Sequence, residues 1–83
     1  MIDAIRQALD EHGRLTITAA ALHAGSDLYA AGLTSFSAVQ LMLALEEKFD
    51  VEFPDKMLNR KSFASIGAIM GCLMELDRQG AAA

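Results

Sequence analysis

The segment SFSAVQLMLALEEKF, residues 35–49, restricts the possible folds more than any other part of the chain. Its apolar residues recur with helical spacing, and Pro54 beyond it disfavours helix at Phe53. With about 100° of rotation per residue, the apolar side chains fall on two opposite arcs. One arc, the predicted core face, holds Ala38, Leu41, Met42, Leu45 and Phe49, and the other holds Phe36, Gln40, Leu43 and Glu47, with Val39 and Glu46 at its edge. A chain of 83 residues has a single core to fill, so the second arc needs another explanation.

The remaining segments with helical spacing predict an all-α fold. We expect a first helix over residues 2–12 ended by Gly13, a short helical turn over 55–60, and a last helix over 63–76 capped by Ser62. The inward residues of the last segment are predicted to be Phe63, Ile66, Ile69, Met70 and Leu73. The predicted architecture is a small bundle of three main helices plus one short helix, with one domain over 1–77 and a disordered tail over 78–83.

Residues 14–34 form a long first loop in this prediction. They show no sustained periodicity apart from a short turn over 18–23, and loops of this length in compact domains are often functional. The side chains expected to pin the loop to the core are Leu15, Ile17, Leu22, Leu28, Tyr29 and Leu33. Gly32 is expected to permit the turn that leads into the second helix.

Composition excludes several classes of protein. The single cysteine cannot form an internal disulfide framework, and two histidines at scattered positions give no metal-ligand spacing. The N-terminal residues are charged from position 3 and lack the apolar region of a secretory signal. No run approaches the roughly 18–20 apolar residues of a membrane span. We therefore expect a cytoplasmic protein that acts as a monomer and has no membrane partner.

Charge is distributed unevenly along the chain. Residues 27–55 carry six acidic side chains and one lysine, whereas residues 56–83 carry four basic and two acidic side chains. The acidic half cannot neutralise phosphates, so nucleic-acid binding is disfavoured. An acidic segment beside an apolar patch suits a basic protein partner, although a charged run can equally be an ordinary solvated face.

Two questions stay open from the residues alone. Phe36 and Leu43 could form a docking patch in water, or the 14–34 loop could cover them. Ser35 could be a site where an anionic group is attached at the positive end of the helix, or Ser35 or Thr34 could simply cap the helix.

The chain resembles the acyl carrier protein family. The matching segments, in order, are DL at 27–28, GLTSF at 32–36, ALEEKFD at 44–50 and FPD at 53–55. Members carry 4′-phosphopantetheine on the serine of a Gly-x-Asp-Ser-Leu motif, attached by a phosphopantetheinyl transferase, and use the second helix to dock on enzymes. The resemblance implies that Ser35 is the attachment site. It implies a docking role for Thr34, Phe36, Val39, Gln40, Leu43, Glu46 and Glu47.

Departures from the family pattern point to a narrower group. Thr34 replaces the usual Asp, Phe36 replaces the usual Leu, and Gln40 and the 56–61 segment replace positions that are commonly acidic. The stretch over residues 27–66, DLYAAGLTSFSAVQLMLALEEKFDVEFPDKMLNRKSFASI, is similar to stand-alone aminoacyl carrier proteins. That resemblance implies loading with a small amino acid, such as glycine or alanine, by an ATP-dependent amino acid:carrier protein ligase similar to class II seryl-tRNA synthetases. The resulting thioester would pass to a downstream acceptor enzyme that the sequence does not identify.

Two alternatives are retained. The first is an acyl carrier for fatty acid or polyketide-type synthesis, and the second is an unmodified helical interaction module. An enzyme is disfavoured, because Ser35 lies in no Gly-x-Ser-x-Gly turn and neither histidine has a carboxylate at triad-like spacing.

Overall fold

Three helices joined by irregular segments and short turns make up the architecture. The computed structural model describes residues 1–82, and their side chains as far as residue 77. Helix α1 spans Ile2–Ala8 and continues into a π-helical turn, Leu9–Gly13; α2 spans Ser35–Phe49, α3 spans Ile66–Ala82, and 3₁₀ turns span Ala19–Ala21, Asp55–Met57 and Arg60–Phe63. The described residues contain no strand. The predicted all-α fold is confirmed, whereas the predicted tail at 78–83 lies outside the residues whose side chains are described.

The end of the first helix differs from the prediction. Gly13 does not take the left-handed conformation expected of a cap; Arg14 does, with φ 53° and ψ 42°. The wider π-helical turn carries the helix as far as Gly13, which is buried beside Leu9. A Cβ atom at Gly13 would lie 3.3 Å from Leu9 Cδ2. Gly13 is therefore suited to close packing rather than to reversing the chain.

The 14–34 loop is fixed by its apolar side chains and by backbone hydrogen bonds. Leu22, Leu28 and Leu33 are buried, and Leu15 and Tyr29 are half-buried, as predicted. The prediction for Ile17 is wrong, since the chain bends at residues 16–17 and leaves that side chain 48% exposed.

Gly32 sets the turn into α2. Its φ of +115° is disfavoured for residues with a side chain, and a Cβ atom would lie 3.3 Å from both Cγ2 and the backbone nitrogen of Thr16. The predicted role of Gly32 is confirmed.

The start of the last helix is also corrected. Asn59 Oδ1 accepts a hydrogen bond from Ser62 N–H at 3.0 Å, which closes the separate Arg60–Phe63 turn. Ser65 Oγ, rather than Ser62, accepts the Ala68 N–H at 3.0 Å and caps α3. The predicted turn over 55–60 is likewise shorter, because it ends at Met57.

The predicted core arc of α2 is confirmed at its centre. Leu41 and Leu45 are fully buried and Ala38 is 8% exposed, while Met42 and Phe49 are half-buried at the edges of the same face. This face belongs to the same buried core as Ile66, Ile69 and Leu73 of α3. Burial of this apolar surface is the main stabilising contribution to the fold.

Leu45 and Leu43 provide a matched test of the two faces. Leu45→Ala removes a fully buried side chain and should lower the free energy of unfolding by about 2–5 kcal/mol. Leu43 is 50% exposed, so Leu43→Ala should change the free energy of unfolding by less than about 1 kcal/mol. Urea denaturation followed by circular dichroism measures both values, and equal losses would contradict the assignment of the two faces.

Candidate functional site

The first turn of α2 is capped by Thr34 and Ser37. Thr34 has extended backbone angles, and its Oγ1 accepts the Ser37 N–H at 3.0 Å, while Ser37 Oγ accepts the Thr34 N–H at 2.8 Å. Each side chain therefore satisfies a backbone donor of the other residue, in a reciprocal capping arrangement. Ser37 is only 1% exposed. Of the two residues that the sequence left as possible caps, Thr34 rather than Ser35 caps the helix.

Ser35 is free of any capping role. It is the first residue of α2 and is exposed, and among the described residues its hydroxyl has no hydrogen-bond partner. The N–H groups of Ser35 and Phe36 have no acceptor within the helix, because the first turn of a helix lacks one. These donors and the helix dipole favour a negatively charged group at this position.

An open groove of about 310 Å³ begins at Ser35. Its walls come from α2, from the loop before α2 and from the segment before α3, and the lining residues are Tyr29, Ser35, Ala38, Val39, Met42, Leu58, Asn59, Arg60 and Phe63. No histidine, aspartate or glutamate is among these lining residues, so no base lies beside Ser35 in the groove to activate its hydroxyl. The site therefore suits a serine that is modified by another enzyme.

Only part of this groove follows from the sequence. Leu58, which belongs to the turn predicted over 55–60, lines the groove and is 48% exposed. The prediction took Tyr29 only for a loop anchor and treated Arg60 only as part of a basic segment. The guanidinium carbon of Arg60 lies 3.8 Å from the centroid of the Tyr29 ring. A contact between residues so far apart in the chain has no local sequence signature.

The second apolar arc of α2 faces solvent. Its apolar residues, called the α2 patch below, are Phe36, Val39 and Leu43, with exposed fractions of 63%, 49% and 50%. The alternative in which the loop covers Phe36 and Leu43 is wrong. The guanidinium carbon of Arg14 lies 6.0 Å from the centroid of the Phe36 ring.

The polar residues predicted for docking occupy two different environments. Gln40 and Glu47 are exposed beside the α2 patch. Thr34 and Glu46 are engaged in the fold instead: Thr34 caps α2, and Glu46 Oε2 accepts the Phe53 N–H at 2.8 Å. The Glu46 carboxylate therefore holds the segment that follows α2, which limits its freedom to contact another protein.

Comparison with known families identifies the family of the chain. Residues 3–73 match the family described as the phosphopantetheine attachment site. The chain belongs to this carrier protein family. Its cofactor is phosphopantetheine, and the role of such a chain is to carry rather than to catalyse. Ser35 fits that cofactor, because it is exposed, takes no part in capping and lines the groove.

Several relatives narrow the family. The chain is 58% identical over 65 residues to an aminoacyl carrier protein of Agrobacterium fabrum, a match covering 78% of each chain. It also matches a chain in the crystal structure of an engineered Bradyrhizobium japonicum glycine:[carrier protein] ligase with a carrier protein from Agrobacterium tumefaciens and AMP. That match has a TM-score of 0.87 and 53% identity, and covers 89% of this chain and 99% of the other. A solution structure from A. tumefaciens matches with a TM-score of 0.79 and 49% identity over the whole of both chains.

In the part of the chain that the structure describes, no group of three or more histidine, cysteine, aspartate or glutamate side chains could hold a metal ion. None of the described helices has the length and apolar character needed to cross a membrane.

The capping geometry makes a prediction about the hydroxyls of Thr34 and Ser35. Thr34→Ala should lower the free energy of unfolding by about 0.5–2 kcal/mol, as the loss of an N-cap side chain does. Ser35→Ala should leave the free energy of unfolding within about 0.5 kcal/mol of wild type. Thermal and urea unfolding of the unmodified proteins measure this, and a larger loss from Ser35→Ala than from Thr34→Ala would refute the capping assignment.

Proposed function

We propose that the chain carries 4′-phosphopantetheine on Ser35 and holds a small amino acid, of the glycine or alanine class, as a thioester. The observation that carries the proposal is the free, exposed hydroxyl of Ser35 at the start of α2, in a chain that belongs to the phosphopantetheine attachment family. When bound, the cofactor supplies the thiol that accepts the cargo. The residues of the chain position and present that cofactor.

The choice of Ser35 is supported by the hydroxyls around it. The start of α2 carries three of them, on Thr34, Ser35 and Ser37. Thr34 and Ser37 bond to each other's backbone, and Ser37 is buried. Ser35 alone combines exposure with an unbonded hydroxyl, so it is the acceptor we assign to the phosphopantetheinyl transferase.

An aminoacyl cargo is supported by the relatives and by the surface. The related chains include an aminoacyl carrier protein and a chain from a complex containing glycine:[carrier protein] ligase. On α2, Gln40 stands exposed where carriers for fatty acid synthesis are commonly acidic. A less acidic face should bind poorly to the strongly basic docking surfaces of fatty acid enzymes. We therefore propose loading by an ATP-dependent amino acid:carrier protein ligase of the class II seryl-tRNA synthetase type.

Docking is assigned to the α2 patch. Phe36, Val39 and Leu43 are large apolar residues left in water, with Gln40 and Glu47 exposed beside them. A patch of this kind beside the modified serine would bring each partner enzyme to the cargo. Thr34 and Glu46 are proposed to lie at the edge of this docking surface.

We propose that the protein acts as a monomer in the cytoplasm, where the ligase consumes ATP. The protein then passes its cargo to an acceptor enzyme.

Attachment of the cofactor is tested by intact mass. Co-expression with a broad-specificity phosphopantetheinyl transferase should add the mass of one arm to the wild type and to Thr34→Ala, and none to Ser35→Ala. Because Ser35→Ala is expected to fold normally, loss of the added mass identifies the acceptor. An arm that persists in Ser35→Ala would move the site, and its absence from the wild type would favour the unmodified interaction module.

Docking and cargo are tested together by glycine loading. Phe36→Ala should lower kcat/KM for loading of the holo protein by an amino acid:carrier protein ligase more than about fivefold, because a central apolar contact is lost. Met74→Ala is the matched control, since Met74 is 54% exposed on α3, away from the patch, and its loss should leave loading unchanged. Equal effects of the two substitutions would contradict docking on α2. Loading by a fatty acyl transferase but not by the ligase would favour the acyl carrier alternative.

A further inference from the structure

Arg60 is held in place beside the attachment serine. Its guanidinium carbon lies 3.8 Å from the centroid of the Tyr29 ring, and both residues line the groove that begins at Ser35. The backbone on the N-terminal side is fixed by Asn59, whose Nδ2 donates to Lys56 O at 2.9 Å while its Oδ1 accepts the Ser62 N–H at 3.0 Å. The stack on Tyr29 and the hydrogen bonds of Asn59 therefore fix the position of the Arg60 charge.

The positive charge of Arg60 remains available for an ion pair. Among the described residues, no carboxylate forms an ion pair with it, and the side chain is exposed. Stacking on Tyr29 uses the face of the guanidinium and leaves the N–H groups at its edge free to donate hydrogen bonds in the plane. That planar set of donors matches the oxygens of a phosphate group. Prior fixation by the ring also reduces the conformational entropy lost when the bonds form.

The groove fits both the charged part and the apolar part of the cofactor. A phosphopantetheine arm on Ser35 begins with a phosphodiester of charge −1 and continues into a chain with a dimethyl group. The groove offers Arg60 and Asn59 as polar residues and an apolar wall of Ala38, Met42 and Leu58. A phosphodiester at Ser35 would therefore lie at the positive end of the α2 dipole, in a groove that the Arg60 guanidinium also lines.

We propose that Arg60, stacked on Tyr29, is a positioning residue that pairs with the phosphodiester of the arm and lays the first part of the arm in the groove. This rests on the proposed attachment at Ser35. The positive end of the α2 dipole and the guanidinium of Arg60 would hold the phosphodiester of the arm. Tyr29 acts through Arg60 and does not itself bind the phosphate.

The test is nuclear magnetic resonance of the holo protein in four forms: wild type, Arg60→Gln, Tyr29→Leu and Tyr29→Phe. Intact mass first establishes that each form carries the arm, so a failure of the proposed attachment is recognised separately. In the wild type and in Tyr29→Phe, which keeps the ring, we expect nuclear Overhauser contacts from the dimethyl group of the arm to Met42 and Leu58. Arg60→Gln and Tyr29→Leu should lose these contacts and shift the ³¹P resonance.

The salt dependence of the ³¹P shift and the rate of loading distinguish this role from a contact between Arg60 and the enzyme. Raising the salt concentration should move the wild-type ³¹P shift towards that of Arg60→Gln, because an exposed charge pair is screened. Identical ³¹P shifts and arm contacts in wild type and Arg60→Gln overturn the proposal. Slower loading of Arg60→Gln with unchanged spectra also overturns it, since Arg60 would then contact the enzyme rather than the arm.

Discussion

Two backbone hydrogen bonds between the long loop and the start of α3 determine where everything else in the site lies. Leu28 N–H donates to Ala64 O and Gly67 N–H donates to Ala24 O, both at 2.8 Å. A loop without regular structure must satisfy its polar groups in some such way, and the full burial of Leu28 anchors it further. Because the loop is fixed against α3, it enters α2 from one direction. Ser35, Tyr29 and Arg60 consequently meet around one groove although they come from three separate segments.

The apolar residues of α2 lie on two separate faces, one packed in the core and the other exposed to solvent. Leu41 and Leu45 supply the core, whereas Phe36 and Leu43 gain less from folding because they stay 63% and 50% exposed. Leaving such side chains exposed forgoes about 1.5–3 kcal/mol each relative to full burial. The cost is tolerable in a small bundle only because the buried face is sufficient by itself. The apolar exposed face is therefore best understood through contacts with other proteins.

The sequence predicted those parts of the structure that depend on local pattern. The bounds of α2 and its two faces follow from periodicity and from Pro54. Attachment of the cofactor at Ser35 stays a prediction from the family motif. The errors arose at the ends of helices, where the observed turns are not indicated by the spacing of apolar residues. Ser65 rather than Ser62 caps α3 because Asn59 closes an extra turn first, and Arg14 rather than Gly13 reverses the chain after a π-helical turn. The stack of Arg60 on Tyr29 depends on the packed loop, so no pattern of neighbouring residues could indicate it.

The reciprocal cap formed by Thr34 and Ser37 has a consequence for the lifetime of the protein. Because both capped backbone donors belong to residues on either side of Ser35, a group placed on the Ser35 hydroxyl would not remove any of the hydrogen bonds that hold the helix start. A phosphodiester there would add a negative charge at the positive end of α2, so modification would leave the folded chain at least as stable as before. Newly made protein would therefore fold before it receives the arm, and loss of the arm would not expose an unfolded chain to proteases.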